Sequence, residues 1–394
     1  MRKVRILFPE VEAGLGHIMP LRAVAETFEK KYGDKVDVVR INFYKEANTK
    51  KLNKFQNLLI KSVKHYSLSR AYGYWETFNM QFWGITLSNW GTFEYRVPGS
   101  SKEGREYLES LNVDAVFSTH WATNYYAEHI KENKPLTIMY CPDVLMNNLF
   151  MYRSDLYLIS FERGYNSALK KYKHVVNKDN LKLVPFLIRN EAFDIPMDKK
   201  VNRRKLGLPE DKFTIVIAEG GYGIGKLEPL CEKLTKEHLP ITVIAVCGKN
   251  QELVEKLSKL EVTDEVTFIP LGFTTNMLEY QASCDLFCGK SGNIIAEPTF
   301  FGHPSIITNF ATTIEKNIGK YYLEDVGCAI KEFEVDKIIE LIKDFVAHPE
   351  KLKPYEEKAL KHHDDYGAEA TADIIYDALL KKYPSLTVED KGDK

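Results

Sequence analysis

The chain has 394 residues, and its 54 Lys and Arg residues nearly balance its 55 Asp and Glu residues, for a net charge of −1. This balance excludes the strongly basic surface typical of nucleic-acid-binding proteins, and the length favours two domains over one. No stretch reaches the roughly 18 apolar residues of a membrane-spanning helix, so we expect a cytoplasmic protein.

Two series of apolar strands alternate with helical patterns along the chain. The first series is Val4–Pro9, Val36–Phe43, Ala115–Thr119, Leu136–Cys141 and Leu156–Ser160. The second series is Phe213–Glu219, Ile241–Cys247, Val266–Leu271, Leu286–Cys288 and Ser305–Thr308. Continuous apolar strands separated by helices are typical of a parallel sheet covered on both faces. We therefore predict two α/β domains, residues 1–195 and 203–366, joined by a polar linker at 195–204.

The loop after the first predicted strand contains Gly14, Gly16 and His17, and an amphipathic helix follows it. Glycines permit a close approach of the backbone at the carboxyl edge of a parallel sheet, where such sheets bind ligands. A neutral imidazole takes a proton from a hydroxyl near physiological pH, so His17 is a candidate general base. The alternative is a histidine that caps the helix or lies exposed. Met19 replaces the third glycine of a dinucleotide fingerprint, which excludes that motif.

A basic and then aromatic segment follows the second predicted strand. Residues 45–70 contain seven basic residues and one acid, and helical periodicity places the basic and apolar residues on opposite faces. Such a helix followed by interfacial aromatics is typical of a peripheral contact with an anionic membrane. A helix docked by its apolar face, with a solvated basic side, has the same periodicity. We predict the membrane contact, and its candidate residues are Lys50, Lys54, Phe55, Lys61, Lys64, Trp75 and Trp83.

A glycine-rich loop, Gly220 to Lys226, follows the first strand of the second series. Its spacing fits the G-x-x-x-x-G-K pattern of a P-loop, which would make the chain a nucleotide-binding regulator without transferase activity. Leu227, however, stands where a P-loop needs Ser or Thr to bind Mg²⁺. The missing hydroxyl disfavours the P-loop interpretation.

The stretch from Gly272 to Pro304 is the most informative part of the chain. A predicted strand ends in Gly289-Lys290-Ser291-Gly292, and a helix is predicted at 293–301 directly after it. The free N–H groups and the dipole of a helix N-terminus behind such a loop favour phosphate. Glu297 lies one turn into this helix, where a carboxylate is suited to accept hydrogen bonds from both hydroxyls of a ribose. The pattern indicates a nucleotide, and the spacing alone leaves its identity open.

These motifs resemble the donor-binding half of glycosyltransferase family 28. That family holds the processive diacylglycerol glucosyltransferases, the monogalactosyldiacylglycerol synthases and the GlcNAc transferase that makes lipid II. The resemblance rests on GFTTNM at 272–277, CGKSGNIIAEPTFFGHP at 288–304 and TIEKN at 313–317, although Ile314 stands where the family has Gln. It implies the GT-B fold, in which two Rossmann-like parallel-sheet domains face each other across a cleft. It also implies that a final helix at 367–382 packs on the N-terminal domain.

The resemblance also implies roles for individual residues. His17 matches the family's Gly-Gly-His histidine, which acts as a base or positions the acceptor. Asp143 matches an aspartate of the acceptor region and is a second candidate base, a residue that orients His17, or a loop cap. The implied donor-binding residues are Gly16, Gly221, Gly223, Phe273, Met277, Lys290, Ser291, Gly292, Glu297, Glu315 and Asn317.

The function implied by the resemblance is inverting transfer of a hexose from a UDP-sugar to a lipid hydroxyl, that of diacylglycerol, in glycolipid biosynthesis. The enzyme would work as a peripheral membrane protein at the inner face of the cell membrane, with the basic segment as its lipid acceptor region. The chain has no Asp-x-Asp triplet, and we expect no metal or other cofactor. The alternatives are transfer to a soluble or polyprenyl acceptor, a UDP-sugar 2-epimerase, and the P-loop-like regulator.

Overall fold

The computed structural model describes residues 3–68, 70–221, 223 and 225–384, without the side chains of residues 63, 64, 66–68, 70 and 80. The described chain divides into two compact units. The first consists of the residues up to 65, 75–190 and those from 367 onward. The second consists of 66–74 and 191–366.

The strands of the first unit are β1 (Val4–Glu10), β2 (Val36–Asn42), β3 (Ala115–Ser118), β4 (Leu136–Cys141), β5 (Leu156–Ile159) and β6 (Leu181–Leu183). In the described chain they form a six-stranded, all-parallel sheet in the order β2-β1-β3-β4-β5-β6. The chain proceeds from β1 to one side and returns to the other side at β3. The loops after β1 and β3 therefore flank a topological switch point, where open parallel sheets bind ligands at their carboxyl ends.

The strands of the second unit are β7 (Phe213–Ala218), β8 (Ile241–Val246), β9 (Thr267–Leu271), β10 (Leu286–Lys290), β11 (Ser305–Asn309) and β12 (Ala329–Lys331). They form, within the described residues, a second six-stranded parallel sheet in the order β12-β11-β10-β7-β8-β9. Here the switch point lies between β7 and β10. The glycine-rich loop after β7 and the Lys-Ser-Gly loop after β10 are consequently neighbours at one sheet edge.

Helices cover both sheets. The α-helices, in chain order, are α1 (Leu15–Tyr32), α2 (Phe43–Ala47), α3 (Lys50–Leu68), α4 (Arg70–Phe82), α5 (Gly84–Trp90), α6 (Ser100–Ser110), α7 (Trp121–Glu128), α8 (Glu162–Lys171), α9 (Lys199–Lys205), α10 (Leu227–Leu234), α11 (Gln251–Leu257), α12 (Met277–Ser283), α13 (Ala296–Phe300), α14 (Thr313–Lys320), α15 (Val335–Ala347), α16 (Lys353–Leu360) and α17 (Glu369–Lys382). Shorter π- and 3₁₀-helical turns connect several of them, including a π-turn at Gly91–Tyr95.

The final helix, α17, packs in the first unit. Its Ile375 shares one buried core with Phe28 of α1 and Ile138 of β4. Burial of each such side chain contributes about 1.5–3 kcal/mol. At the edge of this core, the Tyr32 hydroxyl of α1 donates a hydrogen bond to Asp373 of α17 at 2.6 Å.

The predicted pair of parallel α/β sheets is confirmed. Each strand predicted from the sequence is present, with ends that differ from the prediction by at most two residues. The structure adds β6 and β12, which have three residues each and lie at sheet edges. Strands this short have too few residues for an alternating or continuous apolar pattern to identify them.

The polar stretch 195–204, interpreted above as a linker, contains most of α9. Asp198 caps this helix by accepting a hydrogen bond from the Lys200 N–H at 2.8 Å. The guanidinium of Arg203 is buried and pairs with Asp285 at 2.5 Å. The polar residues of this stretch therefore hold a helix on the second unit, which their composition alone did not reveal.

Candidate functional site

His17 lies at the switch point of the first sheet, in the first turn of α1. The helix begins after Gly14, whose φ of 109° favours glycine. The Nδ1 atom of His17 lies 2.8 Å from the carbonyl oxygen of Thr119, and the Thr119 hydroxyl donates back to the His17 carbonyl at 2.7 Å. A carbonyl only accepts, so Nδ1 carries the proton and the lone pair of Nε2 remains available. Burial lowers the pKa of His17 despite this hydrogen bond, which favours the neutral base.

A second histidine, His120, lies beside His17 and was not identified from the sequence. The two ring centroids are 5.0 Å apart, and the ring of Phe150 stacks on His17 at 6.3 Å. The Nδ1 atom of His120 accepts the Ala122 N–H at 3.2 Å, so the neutral ring carries its proton on Nε2. Burial holds the pKa of His120 well below its usual range. The pair thus combines one imidazole with a free lone pair and one with a free N–H, and the position of His120 directly after a predicted strand was the available signal.

Asp143 follows β4 and is partly exposed. Desolvation raises the pKa of its carboxyl to about 7. Within the described residues its carboxylate accepts no hydrogen bond, so it does not cap the loop. The Nδ1 atom of His17 is already bonded to Thr119, so Asp143 does not orient His17 through that nitrogen. Its possible role as a second base stays a prediction.

In the second unit, the loops that flank the switch point have open space beside them. Among the described residues, a Cβ atom added to Gly221, or to Gly292 of the neighbouring loop, would meet nothing within 4 Å beyond its chain neighbours. Gly223 has a φ of 60°, and its N–H donates to the Gly220 carbonyl at 3.2 Å, which closes a tight turn. Gly221 and Gly292 thus leave room for a ligand close to the backbone, and Gly223 permits the tight turn that follows Gly220.

Glu219, the residue directly after β7, is buried with 3% of its surface exposed. Its Oε1 atom accepts hydrogen bonds from the Thr308 hydroxyl and from the Lys226 N–H. Burial raises the pKa of this carboxyl to about 7. Glu219 was not recognisable from the sequence, because its principal partner, Thr308, is 89 residues away along the chain.

The loop after β10 is tied to α14 through Glu315. The ammonium group of Lys290 lies 2.6 Å from the Glu315 carboxylate, and the buried Ser291 donates its hydroxyl to the Glu315 carbonyl at 2.5 Å. Glu315 also accepts the Ala311 N–H at 2.5 Å. Lys290 and Ser291 therefore hold the loop on α14 through Glu315. A diphosphate bound to Lys290 would share the lysine ammonium group with the Glu315 carboxylate.

The other predicted donor-binding residues lie in helices or shortly before them. Glu297 is half-buried in α13, which a 3₁₀ turn at Asn293–Ile295 connects to Gly292. Met277 begins α12 and is half-buried, whereas Phe273 before it is 65% exposed. Asn317 lies half-buried in α14, and Gly16 lies in the first turn of α1. Contacts of these residues with a nucleotide-sugar stay predictions.

The predicted membrane-contact residues divide into an exposed and a buried group. Lys50, Lys54 and Lys61 are exposed on α3, and the side chain of Lys64 lies outside the described residues. Phe55, by contrast, is 1% exposed and stacks on Phe93 with ring centroids 5.0 Å apart. Phe55 therefore holds α3 on the first unit, and its inclusion among the membrane contacts is corrected. Helical periodicity correctly placed Phe55 on the apolar face of α3, but it did not show that protein instead of lipid covers this face.

An exposed aromatic ridge runs along α4 and ends just beyond it, formed by Trp75, Phe78, Phe82 and Trp83. Their exposed fractions are 62%, 50%, 61% and 53%. Successive rings contact each other, with centroids 6.4 Å, 4.8 Å and 5.0 Å apart. Four contiguous exposed aromatic rings are unusual on a protein surface and typical of a binding region. None of the helices in the described part of the chain is both long and apolar enough to span a bilayer.

Comparison with known proteins adds a full-length similarity, although no family model matches the chain. A Bacillus subtilis (strain 168) protein named processive diacylglycerol beta-glucosyltransferase is 23% identical over 394 residues, 98% of this chain and 98% of that protein. Monogalactosyldiacylglycerol synthase 1 of Arabidopsis thaliana is 23% identical over 403 residues, 98% of this chain and 73% of that protein. The crystal structure of Acinetobacter baumannii MurG aligns with a TM-score of 0.61 at 15% identity, covering 95% of this chain and 100% of that chain. The predicted resemblance and the GT-B fold are thus confirmed.

Proposed function

We propose that this GT-B glycosyltransferase transfers a hexose from a UDP-sugar to the hydroxyl of diacylglycerol, with inversion at the anomeric carbon and without a metal ion. The observation that carries the proposal is the similarity, over 98% of the chain, to transferases named for diacylglycerol glycosylation. The placement of the motif-bearing loops at the switch points of both sheets supports it.

The donor would bind at the carboxyl edge of the second sheet. The open backbone at Gly221 and Gly292 leaves room for a diphosphate, whose charge loop N–H groups and Lys290 would meet. Glu297 would accept hydrogen bonds from the ribose hydroxyls. These groups supply positive potential from the protein itself, which is the reason for proposing transfer without a metal ion.

The acceptor hydroxyl would be activated in the first unit. The Nε2 atom of His17 has the free lone pair that a general base needs, and the Thr119 carbonyl fixes that tautomer. Inversion follows from a single displacement, in which the deprotonated hydroxyl attacks the anomeric carbon as UDP departs. Loop N–H groups would stabilise the charge that develops on the departing diphosphate.

The lipid acceptor requires access to a membrane surface, for which the basic face of α3 and the aromatic ridge are suited. We expect binding to vesicles that contain phosphatidylglycerol, with a salt-sensitive part from the lysines and a salt-insensitive part from the aromatic rings. Each lysine near an anionic surface contributes about 1 kcal/mol, within a Debye length. Changing Lys50, Lys54 and Lys61 together to Gln should therefore remove most of the salt-sensitive binding in a co-sedimentation assay.

The matched control for this membrane prediction changes Lys170, Lys173 and Lys178 to Gln, because these lysines are also exposed and belong to the same unit. The control protein should sediment with vesicles as the wild type does. Equal sedimentation of the wild type with neutral and anionic vesicles would contradict the predicted role of the lysines. Sedimentation with neither would contradict the membrane contact as a whole and favour a soluble acceptor.

Incubation with radiolabelled UDP-hexoses and vesicles containing diacylglycerol tests the proposed function. Label that enters the organic phase supports it. Label on a soluble acceptor, or a changed sugar configuration in UDP-sugar without any acceptor, would support the other transferase or the epimerase instead.

A further inference from the structure

Glu219 has one satisfied and one unsatisfied carboxylate oxygen. Oε1 accepts the hydroxyl of Thr308, at the carboxyl end of β11, and the backbone N–H of Lys226. Oε2 is buried and has no hydrogen-bond partner within the described residues. An unpaired buried polar atom costs free energy, and an unpaired buried charge costs more, so this arrangement calls for a physical reason.

The glycine loop, Gly220 to Lys226, contacts this carboxyl through its described residues Gly225 and Lys226. It starts directly after Glu219 and returns to it at its other end, where Lys226 donates its N–H. A Cβ atom at Gly225 would overlap Oε2, so the loop backbone lies directly against the unsatisfied oxygen. The carboxyl thus lies beneath the end of the loop, and among the described residues a Cβ atom at Gly221 of the same loop would meet nothing within 4 Å.

The charged and titratable groups around Glu219 do not compensate an ionised carboxylate. From β10, Lys290 is paired with Glu315 of α14 at 2.6 Å, and the thiol of Cys288 is neutral because burial raises its pKa. Lys226 contributes its backbone N–H. Glu315 adds negative charge, and burial raises the pKa of Glu219 to about 7. Because Oε1 already accepts two hydrogen bonds, the proton of the neutral acid belongs on Oε2.

We propose that Glu219 is a positioning residue that supports the glycine loop for diphosphate binding in its protonated form. This inference rests on the proposed function, in which the loop binds the donor diphosphate. An ionised carboxylate beneath the loop repels the diphosphate through a poorly solvated contact, and the diphosphate in turn favours the protonated acid. Donor binding and protonation of Glu219 are therefore linked, so UDP affinity decreases as the pH rises through the pKa of this residue.

The test is a calorimetric titration with UDP from about pH 6 to about pH 8.5, on the wild type, E219Q and the control E252Q. Gln is a neutral mimic of the protonated acid, whereas Glu252 is an exposed residue of α11. The ratio of the E219Q affinity to the wild-type affinity should rise about tenfold across this range, since each pKa unit of coupling corresponds to a factor of ten. E252Q should match the wild type at each pH. Comparison at equal pH cancels the ionisation of UDP itself.

If the ratio of the E219Q affinity for UDP to the wild-type affinity does not change with pH, the inference is overturned. The proposed function would stand in that case, because UDP binding itself would be intact. Absence of UDP binding by the wild type at every pH overturns the proposed function and the inference with it. If E219Q does not fold, proton uptake by the wild type decides the matter. Titrations near pH 7.5 in buffers of different ionisation enthalpy should show net proton uptake on UDP binding, and zero uptake overturns the inference.

Discussion

Replacement of His17 by alanine is expected to lower kcat by about 10²–10⁴-fold, with little change in UDP affinity. The reason is the free lone pair of Nε2, which the hydrogen bond from Nδ1 to the Thr119 carbonyl leaves as the proton acceptor. All the predicted donor-binding residues except Gly16 belong to the other unit of the chain, so the UDP affinity should be largely preserved. Steady-state kinetics with UDP-sugar and diacylglycerol, together with a UDP titration, measure both quantities.

An asparagine at this site separates a catalytic role of His17 from a structural one. The amide of His17→Asn can still donate to the Thr119 carbonyl, but it provides no base. If His17 is the base, the asparagine variant loses activity as the alanine variant does, whereas recovery of activity with asparagine would assign it a structural role. The wild-type rate should also fall as the pH drops through the pKa of His17, which burial lowers from its usual value, because a general base acts in its neutral form.

Replacement of Glu297 by alanine is expected to weaken UDP binding by about 1.5–3 kcal/mol, the range of hydrogen bonds to a charged group. The matched control is Glu340→Ala on α15, an exposed carboxylate of the same unit, which should bind UDP as the wild type does. Calorimetry gives the affinities, and far-UV circular dichroism should be unchanged for both variants. Unaltered UDP affinity in Glu297→Ala would show that this residue does not bind the ribose. Tight binding of ATP by the wild type in the same calorimetric assay would favour the P-loop-like regulator.

The architecture was predictable from the sequence because strands of parallel sheets are buried on both faces and form apolar runs. Val4–Glu10 and Phe213–Ala218, the central strands that begin each sheet, are examples. Glycine loops marked the carboxyl ends of those strands, and the position of His17 followed from the same pattern. The helix at Lys199–Lys205 was not predictable in this way, because its polar residues are stabilised by a partner, Asp285, in a distant segment.

The chemistry of the site depended on contacts that no local pattern contains. The tautomer of His17 is set by Thr119, 102 residues away, and the protonation of Glu219 by its burial beneath a loop. Lys290 could be recognised as a loop lysine, but its ion pair with Glu315 required the fold. Phe55 shows the same limit, since the apolar face of a helix does not reveal whether it contacts protein or lipid.

Hexose transfer to diacylglycerol by the purified protein is the decisive assay for the proposed function. The purified protein is incubated with each radiolabelled UDP-hexose and vesicles with or without diacylglycerol, and the label in the organic phase is resolved by thin-layer chromatography. We expect a labelled glycolipid whose formation requires diacylglycerol, is inhibited by UDP, persists with a metal chelator and is lost in His17→Asn. A wild-type protein that binds UDP yet labels no lipid with any UDP-hexose would contradict it.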